Sequence, residues 1–184
     1  MIIGLTGKNG AGKGMVSDYL KGLGFAYHSL SDVIRAEIRK DGQAITREAL
    51  IAKGRALRQG FGPKVLAELV LQQIPSEAQV IVDSIRNPYE VEAFRARRDF
   101  VLIAVDADQR LRFERCRQRG RENDSSDFLE FVRLENEELS SSDPTAQQLL
   151  ATNALADYVI QNDTDKAHCY QQIDAILNKV RGKL

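Results

Sequence analysis

Near the start of the chain, Gly7-Lys8-Asn9-Gly10-Ala11-Gly12-Lys13-Gly14-Met15 sets glycines and a lysine at the spacing of a phosphate-binding loop. Glycines let backbone N–H groups converge on oxygen anions, and a lysine opening the next helix can reach the β- and γ-phosphates of a nucleoside triphosphate. The apolar run MIIGL precedes the loop, and a helical segment with Val16, Tyr19, Leu20 and Leu23 on one face follows it. This strand–loop–helix context makes Gly7, Asn9, Gly10, Ala11, Gly12, Lys13, Gly14 and Met15 candidate ATP-binding residues, with Lys13 also catalytic. The general pattern G-x-x-x-x-G-K-[ST] ends in a hydroxyl that ligates magnesium. Here Gly14 and Met15 follow the lysine, so the metal needs another anchor.

Asp83 is the candidate. The segment Val80-Ile81-Val82-Asp83-Ser84-Ile85-Arg86 reads as a buried strand ending in a carboxylate, the place from which an aspartate can hold Mg2+ through its waters. Farther on, Arg112, Arg115, Arg117, Arg119 and Arg121 crowd into QRLRFERCRQRGREND. Guanidinium forks suit phosphate oxygens and screen a transferring phosphoryl group. At helical spacing 112, 115 and 119 share a face; Arg115, Arg119 and Arg121 are the candidates, Arg115 for ATP and the other two for catalysis.

The elements that must position these groups alternate in type. Short apolar runs at Met1 to Leu5, Phe25 to His28, Gln79 to Val82, Phe100 to Val105 and Tyr158 to Ile160 read as strands. Helices fill the intervals: one from the loop, one from near Ser31 to Asp41-Gly42, then Thr46 to Gln59, Pro63 to Ile74, one capped at Asn87-Pro88, Asp108 to Arg119, one opening at Asp127 with Glu130, and Asp165 to Val180. This is an α/β chain with a mostly parallel sheet. GRENDSS, from Gly120, is the candidate mobile loop.

Length and composition fit a single domain of 184 residues, 43% hydrophobic, with 26 basic against 26 acidic side chains. Zero formal charge removes the simplest case for a nucleic-acid or membrane partner. Cys116 and Cys169 form neither a disulfide framework nor a zinc spacing. No apolar run approaches the ~18 residues of a membrane span, and MIIGLTG lacks the features of a secretory signal. The expectation is a cytoplasmic protein, its oligomeric state left open. His28 and His168 read as structural or solvated.

The loop resembles the G-x-x-G-x-G-K-G-T loop of adenylate-kinase-like enzymes at every glycine and at the lysine, with Met15 in place of threonine. In that family magnesium is held largely through water. Ser29-Leu30-Ser31-Asp32-Val33-Ile34-Arg35-Ala36 resembles the family's S-T-G-D-x-L-R-A segment, whose arginine binds the acceptor phosphate. Asp83-Ser84-Ile85-Arg86 is similar to its D-G-F-P-R segment, one residue shorter. Asp32 also matches an acidic position of dephospho-coenzyme A kinases, and Ala156-Asp157-Tyr158-Val159-Ile160-Gln161-Asn162 resembles the A-D-x-V-I-x-N element that leads to the donor adenine there.

The resemblance implies a three-layer P-loop fold with five parallel strands in order 2-3-1-4-5, spanning 1–184. It also implies an acceptor-binding helical excursion at about 30–75 and a short lid at about 116–140. By the same likeness Ser31, Asp32, Arg35 and Arg86 hold the acceptor, Asp32 and Arg86 join catalysis, and Asn162 contacts the base. The implied activity is transfer of the γ-phosphoryl of ATP, with Mg2+, to a small phosphorylated nucleotide acceptor. A (deoxy)nucleoside monophosphate stands first and dephospho-coenzyme A second; a non-kinase ATP-binding sensor or scaffold is the rival from another class.

Overall fold

The computed structural model describes residues 1–120, 127–139 and 142–182. Its sheet joins β1 (Ile2–Thr6), β2 (Ala26–Ser29), β3 (Val80–Asp83), β4 (Phe100–Asp106) and β5 (Tyr158–Gln161), all parallel, in the order β2-β3-β1-β4-β5. Strand order agrees with expectation, and each strand ends one residue beyond its expected limit.

Period-two alternation sends neighbouring residues to opposite faces. Ile2, Val80, Val82 and Leu102 enter one core, and Ile3, Ile81 and Ile103 enter the other. The first core is covered by α2 (Leu30–Lys40), α3 (Arg47–Phe61), α4 (Val65–Leu71) and α5 (Pro88–Arg95), through Ile34, Ile38, Leu57, Leu66, Val70 and Phe94. The second is covered by α1 (Lys13–Gly22) and α9 (Lys166–Arg181), through Val16, Leu20, Ile173 and Leu177. Sheets covered on both faces need near-continuous apolar strands, which is what MIIGL and FVLIAV supply.

The helix ends follow side-chain chemistry. Thr46 caps α3 by accepting from the Ala49 amide, Asp108 caps α6 (Gln109–Arg119) and Asp165 caps α9. Asn87 and Glu90 form a reciprocal capping box at α5. Past α6, α7 (Phe128–Leu139) packs back onto it through Phe113, Phe128 and Phe131. α8 (Leu149–Ala154) is too short and too mixed for its period to show in the sequence. Leu23 is not on the buried face of α1: the helix stops at Gly22 and Leu23 is 44% exposed. α4 is shorter than expected at both ends, starting at Val65. No described helix is long and apolar enough to cross a membrane.

The candidate nucleotide site

The loop between β1 and α1 stands at the carboxyl edge of the central strand. Gly10 and Gly12 take φ of +76° and +103°, in the region that L side chains avoid. A Cβ on Gly12 would lie 2.1 Å from Asn162 Nδ2, and one on Gly10 would lie 2.4 Å from the Arg112 carbonyl oxygen. These glycines are therefore required twice, by backbone conformation and by what presses on the loop from outside. Gly14 is different: nothing lies within 4 Å of a Cβ there, so packing does not explain the missing hydroxyl.

Lys13 opens α1, and its Nζ donates to the carbonyls of Gly7 (2.6 Å) and Lys8 (3.1 Å). Burial, reinforced by the nearby Arg86 charge and opposed by Asp83, lowers its pKa to about 8. Lys13 from the loop, and Asp83 and Arg86 from the end of β3, therefore meet in one electrostatic neighbourhood.

Asp83 ends β3 beside the loop. Ser84 takes φ +66°, the one non-glycine residue at positive φ among those described. Its amide donates to Asp83 Oδ1 at 2.6 Å, and Tyr27 Oη donates to Asp83 Oδ2 at 3.1 Å. Burial and the Asp83 charge push the Tyr27 phenol up to about 12, so it remains a donor to the carboxylate at neutral pH. Each carboxylate oxygen keeps acceptor capacity after these bonds. No group of three or more His, Cys, Asp or Glu side chains that could hold a metal ion exists among the described residues. A lone carboxylate with spare lone pairs fits Mg2+ that retains its waters and leans on phosphate oxygens, not an all-protein cage.

The loop, α2 with α3, and the arginine helix line a cavity of about 800 Å³. Seven cationic side chains line it (Lys13, Arg35, Arg47, Arg58, Arg86, Arg115 and Arg119), and Asp83 is the single acidic residue on the described wall. Asn9, Gly10, Gly12, Gly14, Met15 and Ser31 also face it. Opposite the loop, Leu30, Ile34, Ile45, Leu50, Ile51 and Leu66 form an apolar flank. A polyanion with an apolar or aromatic body matches this distribution.

Not every expected residue reaches the cavity. Gly7 and Ala11 shape the loop without lining it. Asp32 is exposed and off the wall, where it accepts a hydrogen bond from Arg35 Nη1 at 2.9 Å. Asn162 is 3% exposed, and its Nδ2 donates to the Ala11 carbonyl at 2.8 Å while its backbone carbonyl accepts from Arg115 Nη2 at 2.9 Å. Its amide braces the loop, and it does not line the cavity. Arg119 Nη2 donates to Asn9 Oδ1 at 3.3 Å. Arg121 lies outside the described residues.

Several site residues had no sequence signal. Arg58 donates through Nε and Nη2 to Glu90 Oε1 (3.0 and 2.6 Å), with both side chains nearly solvent-free. Glu90 Oε2 in turn accepts from the backbone of Arg86 and Asn87, which sets the arginine's starting point. Gln147 lines the cavity and accepts from Arg86 Nη1 at 3.2 Å. Tyr27 was legible only as a strand residue. The side-chain partners Arg58–Glu90, Arg86–Gln147 and Tyr27–Asp83 lie tens of residues apart, so only the fold pairs them.

Sheet order, glycine loop and cation-rich cavity define a P-loop fold of the kinase-like kind. The chain belongs to the AAA domain family (AAA_18), matched over residues 3–140, and to the UPF0200 proteins. It is 36% identical to a UPF0200 protein of Methanocaldococcus jannaschii over 188 aligned residues, covering 100% of this chain and 92% of the relative. A UPF0200 protein of Methanothermobacter thermautotrophicus is 37% identical over 186, with the same coverage of each.

Among solved structures, TT1252 from Thermus thermophilus superposes with a TM-score of 0.63 at 19% identity, covering 97% of each chain. Shikimate kinase from Bacteroides thetaiotaomicron gives 0.59 at 15% identity, covering 98% of each. A gluconokinase from Sinorhizobium meliloti gives 0.53 at 12%, covering 98% of this chain and 95% of that one. At such identities the likeness is one of fold.

Proposed function

We propose that this protein is an ATP-dependent phosphotransferase that moves the γ-phosphoryl group to a small nucleotide acceptor, with a (deoxy)nucleoside monophosphate as first choice. The observation that carries the reading is the cavity itself: seven cations against one carboxylate, with Lys13 and the loop at one end and an apolar flank beside Arg35 at the other. A lone triphosphate does not need both ends.

In this reading the loop amides and Lys13 hold the donor phosphates. Arg86, close enough to Lys13 to depress its pKa, offsets charge where the phosphoryl group passes. Arg35 and Arg86 grip the acceptor phosphate, and Arg115 and Arg119 close over the donor side and exclude water. Asp32 acts through Arg35. Asp83, aimed by Tyr27 and Ser84, would hold Mg2+ through water; the metal, when bound, neutralises phosphate charge.

An acceptor panel tests this. ADP release from ATP is followed with each ribo- and deoxynucleoside monophosphate, dephospho-coenzyme A, shikimate and gluconate. The last two are included because a shikimate kinase and a gluconokinase share the fold. Stimulation by a monophosphate supports the proposal. Stimulation only by one of the other three reassigns the acceptor, and tight ATP binding with no turnover on any of them contradicts phosphotransfer.

A further inference from the structure

Arg112 is the largest fully buried side chain among the described residues, at 1% exposure. It projects from α6 beneath the phosphate loop. Its Nε donates to the Ala107 carbonyl at 2.9 Å, and its Nη1 donates to the Asn9 carbonyl, within the loop, at 3.3 Å. Both Nη atoms donate to Glu135 of α7, Nη2 to Oε2 at 3.1 Å. Glu135 is itself 7% exposed, and its Oε2 also accepts from Gln109 Nε2 at 2.7 Å. Burial works against the Glu135 charge, but the bonds from Arg112 and Gln109 outweigh it and its pKa lies below the ordinary glutamate value.

Stability alone does not account for this arrangement, because a buried ion pair exchanged for well-packed apolar residues commonly leaves stability unchanged or improves it. What the charged pair adds is direction. Glu135 engages one N–H of each Nη, which leaves the second N–H of Nη1 aimed at the Asn9 carbonyl. The Arg112 backbone meanwhile presses on Gly10, whose Cβ, if present, would sit 2.4 Å from the Arg112 carbonyl oxygen. Asn9 and Gly10 both face the cavity.

We propose that Glu135 is a positioning residue for the phosphate loop: acting through Arg112 it fixes the Asn9–Gly10 backbone for a polyphosphate, and so couples α7 to donor binding. The inference rests on the triphosphate reading of the loop. Linkage makes the coupling reciprocal, so a polyphosphate on the loop must hold α7 more firmly against α6.

Two variants test it, Glu135→Gln and the double exchange Arg112→Met/Glu135→Leu, with Mg·ATP as the probe. Dissociation constants come from calorimetry, thermal stability from unfolding, and α7 docking from amide exchange over 128–139 with and without ATP. The double variant is expected to unfold at the parental temperature yet bind Mg·ATP about tenfold more weakly, within the usual range of coupling between sites. ATP is expected to slow α7 exchange in the parent and not in the double variant. A folded double variant with parental affinity, or with ATP protection of α7 intact, overturns the coupling and leaves the triphosphate reading standing. A parent that binds no Mg·ATP overturns both. Should the double variant fail to fold, Glu135→Gln decides by the same dissociation constant, because it keeps the side chain's size while removing the charge and one of the two acceptor oxygens that orient Arg112.

Discussion

Lys13 is where composition, burial and chemistry meet. Its pKa is lowered from 10.5 to about 8, and phosphate oxygens favour its charged form. Binding must therefore place a proton on Lys13 wherever the free protein has lost it. ATP affinity should be full below about pH 8 and decline as the pH rises through that value. Calorimetry in two buffers of different ionisation enthalpy, about one pH unit above that value, should register proton uptake on binding, and about one unit below it none. Equal affinity on both sides contradicts the assignment. Lys13→Ala should cost about 3 kcal/mol of transition-state stabilisation, read as roughly two orders of magnitude in kcat. Gly12→Ala meets both a φ of +103° and an amide nitrogen 2.1 Å away. It should abolish measurable ATP binding, whereas Gly14→Ala, in open space, should leave the fold intact.

At the scale of elements, the sequence carried most of the frame and little of the bracing. Strands and long helices announce themselves through runs of apolar residues and capping chemistry, as at Asn87-Pro88 and Asp108. Long-range polar pairs have no such signature. Arg58 and Glu90 are separated by 32 positions, and Asn162 and Ala11 by 151. The A-D-x-V-I-x-N likeness located the strand of Asn162 correctly, but side-chain direction put its amide under the loop. The Arg58–Glu90 pair yields a prediction at this scale. Arg58→Ala leaves a carboxylate that is 0% exposed without its partner, and should destabilise the fold by about 3–5 kcal/mol in denaturant titration. Because Glu90 also holds the backbone of Arg86 and Asn87, acceptor KM should rise more than donor KM in whatever fraction remains folded.

Over the whole molecule, 26 basic and 26 acidic side chains cancel, yet the cavity wall concentrates seven cations around one carboxylate. Glu90 and Asp32, just off the wall, pair with Arg58 and Arg35, and a neutral protein can hold a strongly attractive site for anions because most of its other acids lie away from the cavity. Mg·ATP affinity should fall steadily with added salt despite the zero net charge. A flat dependence between low and physiological ionic strength would mean that the cavity cations are not engaged by phosphate.

Phosphoryl transfer itself is seen by following the γ-phosphorus of ATP by 31P NMR, with protein, Mg2+ and the acceptor selected by the panel. Its resonance should move onto the acceptor at the rate ADP appears, and Lys13→Ala should suppress both. Transfer to water alone, or no loss of ATP in the presence of any acceptor, would contradict the proposed phosphotransfer.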